Sequence, residues 1–87
     1  MADESALQFP CEFPIKMMGR DTTEFRLLAR GLVERHAGKV ADDAVQAAVS
    51  RKGSFVSVTV TITATSQQQL DDIYRDASSH DDVLMAL

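Results

Sequence analysis

Val56-Ser57-Val58-Thr59-Val60-Thr61-Ile62-Thr63-Ala64-Thr65 alternates without a break, apolar at every even number and hydroxyl-bearing at every odd one. Side chains on a strand point to opposite faces in turn, so period two puts the whole apolar set on one side. The stretch therefore predicts a strand, β3 (residues 56–65), with one face buried and a Thr-rich face left open. Its β-branched content suits a pleated, half-buried surface.

The neighbours of β3 follow from it. On its N-terminal side, Lys52-Gly53-Ser54 reads as a turn, and residues 44–52 alternate weakly as a strand, β2, so the two form a hairpin through Gly53. On its C-terminal side, Ser66 is a helix N-cap with Gln69 three residues on. Leu70, Ile73, Tyr74 and Ala77 then make the apolar stripe of a helix, α2 (residues 67–77). Asp71 and Asp72 lie in its first turns, where the helix dipole favours negative charge. Residues 78–82 read as a loop, and Val83-Leu84-Met85-Ala86-Leu87 as a last strand, β4.

Upstream, Phe25, Leu28, Ala29, Leu32, Val33 and His36 recur at helical spacing, which predicts a helix, α1 (residues 22–37). Asp21 is its expected N-cap, with Glu24 giving a capping-box-like start. Gly38 suits the position after the last turn. Gly31 in mid-helix costs about 1 kcal/mol relative to Ala, and marks close packing or a bend. Residues 13–19 form the first strand, β1, with Pro14 near its start, where a missing N–H does least harm. The order β-α-β-β-α-β is that of the split βαβ, or ferredoxin-like, fold. The fold class is α+β, with a four-stranded antiparallel sheet and two helices on one face.

Composition bounds the function. The chain has 87 residues, 45% hydrophobic and 25% charged, enough for one small domain that buries roughly 60% of its unfolded surface. Residues 1–8 read as a loosely held tail and 9–87 as the domain. The start, Met1-Ala2-Asp3-Glu4-Ser5, is acidic, unlike the basic, then apolar, opening of a signal peptide. No apolar run approaches the ~20 residues that span a bilayer, so no membrane role is expected. A single Cys makes no internal disulfide, and the expected location is cytoplasmic. The net charge is −4, with the acidic excess in residues 40–87, which disfavours general phosphate-backbone binding.

Candidate chemistry is sparse. Cys11, His36 and His80 have no metal-ligand spacing, and the pairs Asp42-Asp43, Asp71-Asp72 and Asp81-Asp82 point apart as sequence neighbours, so no metal or other cofactor is expected. Cys11 follows Phe9-Pro10 in what reads as a loop before β1, and no sequence feature marks it as an activated nucleophile. His36, on the apolar stripe at the last turn of α1, is a candidate pH-sensitive group, or the one residue a small enzyme could use; its bland role is a core-edge histidine capping carbonyls. Two weak anion sites are Gly19-Arg20 leading into α1, which the Asp21 carboxylate opposes, and the basic hairpin tip Arg51-Lys52-Gly53-Ser54. An RNA-recognition domain has the same element order. Its β3 signature aligns with residues 51–58 only through Phe55, with Gly53 and Val58 at the other aromatic positions.

These residues resemble a family. Phe9-Pro10 before Phe13, then Lys16-Met17-Met18-Gly19 and Glu34-Arg35-His36-Ala37, look like the first half of the YbeD-like proteins. Ser50-Arg51-Lys52-Gly53-Ser54-Phe55-Val56-Ser57-Val58, Ala64-Thr65, Gln69, Tyr74 and the closing Val83-Leu84-Met85-Ala86-Leu87 follow its second half. The likeness runs from about Phe9 to Leu87; Phe55 departs from it, standing where the family tends to have Tyr. It implies a small bacterial cytosolic protein of ferredoxin-like fold, similar to the ACT regulatory domains that bind amino acids, with no catalytic residues to carry over. ACT-type ligands sit near the β1–α1 turn, often at a dimer interface, which here means Gly19, Arg20 and Asp21. The reading is a non-enzymatic regulatory or binding module. Its weak ligand candidates are Gly19, Arg20, Asp21, Lys52, Gly53 and Ser54. Its expected partner is a small metabolite or a protein, with a homodimer through an edge strand or the open sheet face.

Overall fold

The structure is a computed structural model that describes residues 7–87. Residues 1–6, most of the expected tail, lie outside the described residues; Leu7 and Gln8 carry no regular structure. The elements are β1 (Cys11–Arg20), α1 (Thr23–Ala37), a 3-10 turn (Asp42–Ala44), β2 (Val45–Val49), β3 (Phe55–Ala64), α2 (Gln67–Ser78) and β4 (Met85–Ala86). The sheet is fully antiparallel in the order β2-β3-β1-β4, the ferredoxin-like arrangement.

β1 and β3 form its spine, paired over ten positions from Cys11 opposite Ala64 to Arg20 opposite Phe55. The alternation read from β3 holds: Val56, Val58, Val60, Ile62 and Ala64 are buried and face the helices. Their β1 partners on that side include Ile15 and Met17, both fully buried. α1 closes the layer with Phe25, Ala29, Leu32 and Val33, and α2 with Leu70, Ile73 and Ala77. The opposite face carries Lys16, Met18 and Arg20 of β1 beside Thr59, Ser57 and Phe55 of β3. No helix among the described residues is long and apolar enough to cross a membrane.

Several local expectations are corrected. The N-cap of α1 is Thr22, whose Oγ1 accepts the Phe25 N–H at 2.9 Å; Asp21 instead takes Arg26 in a two-pronged ion pair. Ser66 does cap α2, accepting the Gln69 N–H at 3.0 Å, but the Gln69 side chain accepts from the Thr65 N–H, one residue further back than a capping box requires. Gly31 is exposed, and a β-carbon there would meet open space, so it marks no close packing. β2 is shorter than expected because the 3-10 turn takes up its start and the chain turns at Ser50, whose N–H donates to the Phe55 carbonyl at 2.8 Å. β4 is two residues long, preceded by a turn closed by the Val83 N–H on the His80 carbonyl, while its backbone bonds to β1 reach from Leu84 to Leu87.

Candidate functional site

Two candidate segments far apart in sequence meet at one end of the sheet. Antiparallel pairing sets Arg20, the last residue of β1, opposite Phe55, the first of β3. The next residue, Asp21, donates its N–H to the Ser54 carbonyl at 3.0 Å, tying the β1–α1 turn to the hairpin tip. The Arg20 guanidinium lies 5.5 Å from the centre of the Phe55 ring, a cation–π contact on the open face.

A cavity of about 290 Å³ opens beside this junction, lined by Arg20, Thr22, Phe25, Asp81, Asp82 and Leu84. Thr22 is there as the helix cap and Phe25 as the first core residue of α1. Asp81, Asp82 and Leu84 arrive through the α2–β4 loop, because the Leu84 N–H donates to the Met18 carbonyl at 2.8 Å and so lays that loop against the end of β1. Gly19 lies against two of the lining residues: a β-carbon there would stand 2.6 Å from both the Asp82 carbonyl oxygen and the Phe25 ring. Its part is to let three segments approach. The lining thus combines one guanidinium, two carboxylates, a hydroxyl and two apolar side chains.

The other named residues stand apart from the cavity wall. Asp21 is committed to Arg26 at 2.8 and 3.0 Å, and that hydrogen bond holds its carboxyl below the ordinary carboxylate range. Lys52 and Gly53 are exposed at the tip, where Gly53 takes the left-handed conformation (φ 76°) and donates its N–H to the Ser50 carbonyl. Phe55 is the aromatic that β3 presents on the open face, among Ser57, Thr59, Thr61 and Thr63.

His36 belongs to a different cluster. Its Nε2 lies 2.8 Å from Asp76 Oδ2 of α2, where Arg35 also donates at 3.0 Å, and His80 Nε2 lies 3.4 Å from the other carboxylate oxygen. The His36 hydrogen bond and then the Arg35 charge hold the Asp76 carboxyl below its usual range. The imidazole therefore binds a carboxylate across the helix pair and, among the described residues, caps no carbonyls; the His36 carbonyl itself accepts from the Gln69 side chain. Asp76 clasps the C-terminal ends of both helices. Among the described residues, no three His, Cys, Asp or Glu side chains are placed to hold a metal ion.

Of the lining residues the sequence names only Arg20 as a ligand candidate; Thr22 and Phe25 read as helix residues, and Asp81, Asp82 and Leu84 were missed. Their signal was topological: once β4 is set beside β1, the loop before β4 must end near Gly19.

Residues 4–87 match the family described as "Protein of unknown function (DUF493)". A UPF0250 protein of Nitrosomonas europaea is 38% identical over 87 residues, covering the whole of both chains. Another, from Chromobacterium violaceum, is 43% identical over 89 residues, again covering both chains completely. The solution structure of protein HP0495 from H. pylori is similar with a TM-score of 0.71 at 16% identity, covering 100% of this chain and 94% of that one. That likeness carries the fold.

Proposed function

We propose that this chain, which belongs to the DUF493 (UPF0250) family of small bacterial proteins, the YbeD-like group its sequence resembles, is a non-enzymatic cytoplasmic binding module for a small zwitterionic metabolite of the amino-acid type. The observation that carries this reading is the composition of the cavity wall. Arg20 offers a planar fork for a carboxylate, Asp81 and Asp82 offer partners for an ammonium, and the exposed Leu84 offers an apolar surface for a side chain. The ACT-like part of the reading is fold-level analogy, and the cavity supplies the local chemistry that fold alone does not.

A thermal-shift screen against the common amino acids tests it. A ligand that binds only the folded chain adds about 2.7 kcal/mol at a hundred times its dissociation constant. In a domain this small that raises the melting point by ~10 °C or more. The expected result is a stereoselective shift with one chemical class of amino acid, abolished by Arg20→Ala, a change at an exposed side chain that leaves the unliganded melting point nearly unmoved. A flat screen across charged, aromatic and aliphatic amino acids overturns the reading.

A further inference from the structure

The other end of the strand order carries a separate feature. β2 is an edge strand, Val45-Gln46-Ala47-Ala48-Val49, with neither charge nor proline in it. Protected edges usually carry one or the other, or are bulged or very short, because an open row of backbone groups invites another strand. Ser50 bonds to Phe55 through its N–H, which fixes the parity of the β2–β3 ladder. Ladder bonds alternate, so Gln46 and Ala48 bond inward to β3 while Val45, Ala47 and Val49 turn their backbone groups outward. The Val45 N–H is engaged by the Asp42 carbonyl; the outward set is then the N–H and C=O of Ala47 and Val49 and the C=O of Val45. The same three residues keep their side chains on the helix side, where Val49 is 52% exposed and the nearby Leu27 of α1 is 67% exposed.

We propose that two copies of this chain dimerise by antiparallel pairing of their β2 edges, with the two-fold axis at Ala47, to make a continuous eight-stranded sheet. Two-fold pairing about that residue sets Val45 against the second copy's Val49 and Ala47 against Ala47, which aligns every outward donor with an outward acceptor. The flanks agree in charge. Asp42 and Asp43 precede the strand and Arg51 and Lys52 follow it, all exposed. About Ala47, Asp43 falls as many residues away as Arg51; Asp42, as far from Ala47 as Lys52, is paired with Arg30 of its own chain at 2.9 Å. Asp43 of each copy is therefore brought toward Arg51 of the other, twice over by symmetry. A register shifted along the strand loses this match. The occupant is a second copy because the complementarity is of the chain with itself. The amino-acid cavity lies elsewhere, at the end of β1, the start of α1 and the α2–β4 loop.

Sedimentation equilibrium of the full chain at low ionic strength tests it. A dimer is expected. Ala47→Pro removes an N–H that β3 does not use, so the subunit keeps its circular dichroism while the dimer loses two hydrogen bonds and weakens at least about thirtyfold. Independently, Asp43→Arg weakens the dimer about tenfold, and the double variant Asp43→Arg/Arg51→Asp restores it to within about threefold. A monomer up to about 1 mM overturns the proposal. So does a dimer that neither Ala47→Pro nor Asp43→Arg disturbs, which places the contact on another surface. If Ala47→Pro fails to fold, the charge-swap pair decides by itself.

Discussion

Two of the glycines behave oppositely, and the contrast shows what a side chain's absence does. At Gly19 the β1 end, the first turn of α1 and the α2–β4 loop converge so closely that an added methyl would sit 2.6 Å from a backbone oxygen and from an aromatic ring. The backbone oxygen cannot swing aside. Gly19→Ala is expected to destabilise the fold by about 1–3 kcal/mol through overpacking, and to displace Asp82 and Phe25 in the cavity wall. Gly31 faces open space in mid-helix, where a methyl removes backbone entropy from the unfolded chain and meets nothing. Gly31→Ala is expected to stabilise by about 0.5–1 kcal/mol. Chemical denaturation of both variants checks the pair; equal signs would contradict the packing described at one of the two sites.

At the scale of elements, period and tertiary pairing divide what a sequence can disclose. The alternation along β3 is a local property and so was legible, as were the stripes of both helices. The ends of elements depend on partners. β1 runs on to Cys11 and Arg20 because β3 is long enough to pair all ten of its residues. Asp21 and Thr22 are both good caps standing side by side, and composition does not choose between them. The choice falls to Thr22 because the Asp21 N–H is taken by Ser54 and its carboxylate by Arg26. Thr22→Ala is therefore expected to cost about 1 kcal/mol of stability, as loss of a cap does. Asp21→Ala, which removes an exposed ion pair, is expected to cost less. Urea unfolding of the two variants in the reverse order would return the cap to Asp21. The cavity was half legible for the same reason. Gly19 and Arg20 sit at a turn that local signals mark, whereas Asp81, Asp82 and Leu84 join them only through the pairing of β4 with β1.

At the scale of the whole molecule, three carboxylates on the helical side add stability to the apolar core only while they are ionised. Glu34 accepts the Val40 N–H and then Arg30, Asp21 binds Arg26, and Asp76 binds His36 and Arg35, and each is held below the ordinary carboxylate range by those partners. A carboxyl whose folded pKa is depressed lends stability that is fully present above its unfolded pKa. That stability is lost as pH falls through the folded value, because the unfolded chain takes up the proton first. Stability is thus expected to hold near neutrality and to fall progressively below about pH 4.5. Among the three, Asp76 acts between elements, since its partners Arg35 and His36 end α1 while Asp76 and His80 lie at the end of α2. Asp76→Asn keeps the shape of the side chain and removes its charge. It is expected to lower stability at pH 7 by about 1 kcal/mol, the scale of a partly exposed ion-pair cluster, and to flatten the acid limb, because the variant has one fewer site whose protonation opposes folding. Urea denaturation from pH 3 to pH 7 measures both effects. An acid limb as steep in Asp76→Asn as in the parent chain would mean that the helix ends are joined by apolar packing alone, through Leu32, Val33, Ile73 and Ala77, with the Asp76 cluster riding on it.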